Sequence, residues 1–167
     1  MNRRLFMGTL GTVGVGGVLA LVNSRIIAGE ENNTMTDSIE KLELSDAEWE
    51  QKLTSQQYDV LREEGTERPF TSPLNKEYGE GTYVCAGCDL SLFSSETKFD
   101  SKTGWPSFWA PIEGHTATKT DYRMILPRTE YHCARCGGHQ GHVFKDGPAP
   151  TGQRWCNNGV ALKFVPA

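Results

Sequence analysis

"GTYVCAGC", residues 81–88, runs a β-branched and aromatic stretch straight into two cysteines set three positions apart. "EYHCARC", residues 130–136, repeats the arrangement after a gap of 44 residues between Cys88 and Cys133. Thr, Val and Tyr suit a pleated surface, and a Cys-x-x-Cys turn brings two sulfurs to one side of the chain. Two such turns give Cys85, Cys88, Cys133 and Cys136 as a tetrahedral shell for one zinc ion, a metal that accepts all-sulfur ligation and does no redox chemistry. Four protein ligands leave no open position for a substrate. The ion would therefore be structural, clamping "GTYVC" near "EYHC" in a domain with few helices. Two disulfides are the competing arrangement, more plausible in an exported chain than in a cytosolic one, and an iron centre of the rubredoxin kind is a third.

Outward from the knuckles, the chain is a series of short β-type runs, "HTATKT", "YRMIL", "HVF" and "GVALKF", separated by Gly, Pro, Asp and Asn. That rhythm predicts an antiparallel β domain. Two short helices are expected before it. Ser45 with Glu48 and Thr54 with Gln57 are capping-box patterns, and Gly65 is placed to end the second helix after "YDVLREE". Pro69 and Pro73 then break helicity.

The first 24 residues carry Arg3 and Arg4, then no charge from Leu5 to Ser24, with five glycines diluting the apolar run. This resembles a twin-arginine export signal, with a membrane anchor as the alternative. The expected organisation is a leader or anchor over 1–28, a linker over 29–44 and one domain over 45–167, exported or membrane-anchored through its N-terminal segment alone. From Thr36 onward there are 14 Lys and Arg against 19 Asp and Glu, five net negative charges without blocks of either sign. Nucleic acid is excluded as a main partner, because phosphate neutralisation needs clustered cations.

"GQRWCNNG", residues 152–159, holds the fifth cysteine. Cys156 is either an inert buried side chain or a nucleophile. If "QRWCNNGVALKF" is one strand, Arg154, Cys156 and Asn158 share a face, and the guanidinium favours the thiolate. In "HQGHVFKDG", Gly141 separates His139 from His142, two imidazoles able to donate protons, with Asp146 available to orient one of them. Surface histidines without a task are the plain alternative. In "TGWPSFWAPI", Phe108 and Trp109 read as a core corner. Trp105, between Gly104 and Pro106, is a candidate wall of an apolar pocket suited to a thioether methyl group.

Together, "TGWPSF", "HQGHVFKDGP", "RWCNNGVALKF" and the paired knuckles closely resemble the B-type methionine sulfoxide reductases, over roughly residues 45–165. The resemblance implies a mainly β fold of two antiparallel β-sheets with short N-terminal helices and a zinc site away from the catalytic face. It also implies that Cys156 is the catalytic cysteine, supported by Arg154 and Asn158. His139 and His142 match the family's histidine pair, Asp146 its nearby acid and Trp105 the tryptophan that receives the substrate methyl. The implied reaction reduces the R epimer of methionine sulfoxide, in proteins or peptides, through a Cys156 sulfenic acid, and so repairs oxidised proteins. A thioredoxin-like protein or small thiol would regenerate the enzyme, which is expected to be a monomer. Thr103 stands where many members carry a resolving cysteine, so a one-cysteine cycle is expected. Two rival readings are a cysteine hydrolase built on Cys156, His142 and Asn158, and a zinc-ribbon interaction module without catalysis.

Overall fold

A computed structural model describes residues 39–167. The leader, and the linker up to residue 38, lie outside the described residues. Among the described residues no helix is long and apolar enough to cross a membrane.

Helix α1 spans Asp46–Lys52 and α2 spans Ser55–Glu63, with the two expected capping boxes at Ser45 and Thr54. The left-handed residue that ends α2 is Glu64 (φ 56°), one position before the expected Gly65. Trp49, Val60 and Leu61 turn inward and are buried, each worth roughly 1.5–3 kcal/mol of removed apolar surface. Part of the expected linker also belongs to the domain. Ile39, Leu42 and Leu44 pack on the core, and the Leu42 amide donates to the Arg135 carbonyl at 2.9 Å.

Nine strands follow among the described residues: β1 Gly81–Cys85, β2 Ser91–Ser94, β3 Lys98–Phe99, β4 Ser107–Phe108, β5 Thr116–Asp121, β6 Arg128–Cys133, β7 His139–Phe144, β8 Arg154–Asn157 and β9 Leu162–Pro166. They form a three-stranded sheet in the order β2-β1-β9 and a six-stranded sheet in the order β3-β4-β8-β7-β6-β5. All pairings are antiparallel. An aromatic chain fills the space between the sheets. Phe93 stacks on Phe108 at 4.1 Å, Tyr83 meets Phe108 edge-on at 4.9 Å, and Tyr131 meets Trp155 edge-on at 4.9 Å. Offset and edge-on pairs of this kind add to plain burial.

Two expected strands differ. "YRMIL" is not a strand but the loop joining β5 to β6, ending at Pro127, whose missing N–H cannot serve the ladder. "QRWCNNGVALKF" is not continuous, because β8 stops at Asn157 and a 3-10 turn over Gly159–Ala161 precedes β9. Arg154 and Cys156 thus share a face of β8, while Asn158 leaves the strand as the cap of that turn.

Candidate active site and metal cluster

The four paired cysteines converge where β1 and β6 end. Their sulfurs all lie within 4.8 Å of one another, with Cys85 to Cys136 at 3.7 Å and Cys88 to Cys133 at 3.4 Å. A disulfide requires about 2.05 Å between sulfurs, whereas four sulfurs at about 2.3 Å from a central zinc stand somewhat under 4 Å apart. The arrangement fits a tetrahedral ion. Gln140 Nε2 donates to Cys85 Sγ at 3.4 Å, an orienting contact behind the ligand shell. The same side chain accepts from Asn157 Nδ2 at 3.4 Å, and Asn157 Oδ1 accepts from the Tyr131 hydroxyl at 2.6 Å. A buried polar chain therefore runs from the cysteine cluster to the residue beside Cys156.

Cys156 opens on a cavity of about 110 Å³ on the far side of that chain. Trp105, His142, Arg128, Phe144 and Asn158 are among its other walls. The β7–β8 register sets His142 directly opposite Cys156. Gly141 makes that approach possible, since a Cβ there would fall 1.9 Å from the Cys156 carbonyl oxygen. On the other edge of β8, Ser107 of β4 faces Cys156. Burial pushes the Cys156 thiol up. The Arg154 guanidinium and the Thr103 hydroxyl pull it back down without reversing the shift.

The two histidines hold different positions. His142 Nε2 meets Asp121 Oδ2 at 2.8 Å, and Arg128 Nη2 donates to the same oxygen at 2.7 Å. Burial lowers His142, against the raising effect of Asp121, so its ring is neutral near pH 7. An ionised carboxylate only accepts, which puts the ring proton on Nε2 and leaves Nδ1 as the basic nitrogen. His139 is almost fully buried behind it, with ring centroids 5.5 Å apart. Its Nδ1 meets Glu130 Oε1 at 2.7 Å, and its Nε2 is buried without a hydrogen-bond partner among the described residues. Glu130 also meets His132 Nδ1 at 3.1 Å. Burial alone would raise Glu130, but these two histidine contacts outweigh it and hold the carboxyl at about 2.

Asp146 does not orient a histidine, contrary to the sequence expectation. Its carboxylate forms a two-point pair with Arg154, Nε to Oδ1 at 2.9 Å and Nη2 to Oδ2 at 3.0 Å. The physical reason is register: Phe144 and Arg154 pair across β7–β8, so the residues just past Phe144 meet the Arg154 side chain, not the cavity floor. Arg154 in turn lies 4.3 Å over the Phe144 ring. Asn158 lines the cavity, yet its amide is committed to the framework. Its Nδ2 donates to the Gln140 carbonyl at 3.0 Å and its Oδ1 accepts from the Glu67 amide at 3.1 Å.

Glu67 is the hub that sequence reading missed. Its carboxylate accepts from the amides of Gly159, at 2.6 Å, and Val160, at 2.9 Å, while its carbonyl accepts from Trp105 Nε1 at 3.2 Å. One buried residue thus fixes both the tryptophan wall and the turn after Cys156. Asp121 and Glu130 were missed as well. The β-alternation of the segments that carry them was the available signal, since pairing β6 with β7 sets Glu130 opposite His142.

The SelR domain family matches residues 53–166. The chain is 51% identical over 127 residues to the peptide methionine sulfoxide reductase MsrB of Agrobacterium fabrum, covering 75% of this chain and 94% of that one. Against the MsrB of Leptospira interrogans it is 51% identical over 121 residues, covering 72% and 92%. Against that of Pseudomonas putida it is 52% identical over 129 residues, covering 77% and 97%. A domain match over most of the chain, relatives matched along nearly their whole length, a cysteine-histidine-tryptophan cavity and a four-cysteine cluster agree: the chain belongs to the SelR family, the B-type methionine sulfoxide reductases.

Proposed function

We propose that the protein reduces the R epimer of methionine sulfoxide, free or within polypeptides, to methionine, and so repairs oxidised proteins. The observation that carries this reading is that Cys156, His142 and Trp105 share one small cavity. Trp105 offers its face to the substrate methyl, and the Cys156 sulfur attacks the sulfoxide sulfur. The thiol proton passes to Nδ1 of the neutral His142 and on to the sulfoxide oxygen. As the bond between the two sulfurs breaks, that hydroxyl transfers to Cys156 and methionine leaves. The substrate gains two electrons and Cys156 is oxidised to a sulfenic acid.

Thr103 beside Cys156 brings no second thiol, and the other four cysteines stand in the metal cluster. An external thiol, from a thioredoxin-like protein or a small molecule, therefore attacks the Cys156 sulfur, water leaves, and a second thiol releases Cys156. Cys85, Cys88, Cys133 and Cys136 would hold one zinc ion, which supplies a cross-link between β1 and β6 and no redox chemistry. The leader is proposed to direct export by the twin-arginine route, with the domain acting as a monomer.

Turnover of separated R and S epimers of a blocked methionine sulfoxide, with excess dithiothreitol, tests the reading. Wild type should reduce the R epimer alone, and Cys156→Ser should abolish it. Reduction of the S epimer, or activity surviving the substitution, would overturn it.

A further inference from the structure

Trp105 also lines another cavity, of about 330 Å³. Lys76, Lys98 and Lys102 bring three amines to it against one carboxylate, Asp100, and Phe70 and Tyr78 give it apolar walls. Among the described residues none of the three amines forms an ion pair. The carboxylates whose charge reaches Lys98 are turned to backbone amides instead. Asp100 Oδ1 accepts from the Lys102 amide at 2.9 Å, and Glu77 Oε1 accepts from the Gly79 amide at 2.8 Å. Cations gathered against apolar walls without paired counter-charges favour an anionic ligand.

The three amines are not equivalent. Lys76 and Lys102 are exposed, whereas Lys98 is half-buried on β3. Its Nζ donates to the Asn75 carbonyl at 3.2 Å and stands 3.7 Å over the Tyr78 ring, two contacts that hold the amine at the cavity wall. Burial pulls this amine down to about 8, against the raising pull of Asp100 and Glu77. The ring favours the ammonium by about two- to thirtyfold, short of the roughly 300-fold that the shift gives to the neutral form. A neutral amine is the nucleophilic form, and a partly buried lysine is the usual source of one.

We propose that this cavity takes a small acyl phosphate and that Lys98 is the residue acylated there. Lys76 and Lys102 attract the phosphate, while Phe70 and Tyr78 flank a short acyl chain. The Nζ lone pair attacks the acyl carbon, and the bond from that carbon to the phosphate oxygen breaks with its electron pair going to phosphate. The amine proton passes to water, an uncharged amide remains, and nothing is oxidised or reduced. The site goes beyond the methionine sulfoxide reading and does not depend on it, since none of the reacting groups lines the cavity at Cys156.

The test treats the full chain with acetyl phosphate and, separately, with the uncharged N-hydroxysuccinimide ester of acetic acid. Each lysine is followed by peptide mass spectrometry. At pH 7.5 acetyl phosphate should modify Lys98 roughly tenfold faster than Lys52 or Lys145, part of the advantage an amine near 8 has over an ordinary lysine near 10.4. In the Lys76→Ala/Lys102→Ala variant, acetylation of Lys98 by acetyl phosphate should fall roughly fivefold relative to its acetylation by the ester, as expected for two lost surface charge contacts. The ester corrects for any change in the amine itself. A Lys98 rate no higher than that of the other two lysines would overturn the proposal. Equal slowing with both reagents would also overturn it, leaving a reactive amine without a phosphate site.

Discussion

His142 and Cys156 face each other across the β7–β8 ladder, and both open on the same cavity. Directly opposed residues of an antiparallel pair have Cβ atoms about 5 Å apart, close enough for a proton to pass between their side chains or through a substrate held between them. Gly141 allows the two backbones their close approach there, and Asn157 and Asn158 both hydrogen-bond Gln140 beside it.

The Cys156 thiol should be poorly ionised in the resting protein. Its alkylation by iodoacetamide should rise with pH to a midpoint above the roughly 8.5 of an unperturbed thiol, since burial outweighs Arg154. Arg154→Met removes the opposing charge and should move the midpoint higher still. A midpoint below that of a free thiol would show that Arg154 dominates.

Removing His142 should cost about 10²–10⁴ in kcat/KM, the usual range for a positioned acid or base. Asp121→Asn should cost less and leave a signature on the histidine. Without the carboxylate that raises it, the His142 imidazole should titrate at lower pH, as followed by its ring NMR signals. An unmoved titration would contradict the Asp121–His142 contact.

Glu130 gives a pH dependence of stability with a definite sign. Its carboxyl sits at about 2 in the folded chain, against about 4.3 unfolded, so the stabilisation is complete above about pH 4.3 and disappears as pH falls toward 2. The shift corresponds to on the order of 3 kcal/mol. Glu130→Gln should be less stable than wild type at pH 6, with the gap closing at lower pH in urea unfolding. A gap independent of pH would assign the effect to packing.

The cysteine cluster predicts five free thiols in the chain denatured with chelator and without reductant. One free thiol would mean two disulfides. Cobalt loaded onto the cluster should give the absorption of a tetrahedral tetrathiolate, and stripping metal from the cluster should lower the thermal midpoint sharply.

Local signals in the sequence reached far. Ser45 with Glu48 and Thr54 with Gln57 announced both helix starts because a capping box closes within four residues. The knuckles announced the cluster because tetrahedral ligation constrains spacing. Long-range partners were hidden. Asp121 lies 21 residues before His142, and Glu67 lies 92 before Gly159, so only the folded register brings them together. Asp146 misled for the same reason: nearness in sequence to His142 says nothing about which strand neighbour its carboxylate meets. "YRMIL" misled because apolar composition signals a strand and an exposed loop equally well.

The most direct measurement is a single turnover without reductant. Reduced, zinc-loaded protein is mixed with a blocked methionine sulfoxide, and both products are followed by mass spectrometry. One methionine should form per chain and one oxygen should be added to Cys156, trapped by dimedone, with no intramolecular disulfide. A disulfide between Cys156 and any other cysteine, or methionine formed while Cys156 stays unmodified, would contradict it.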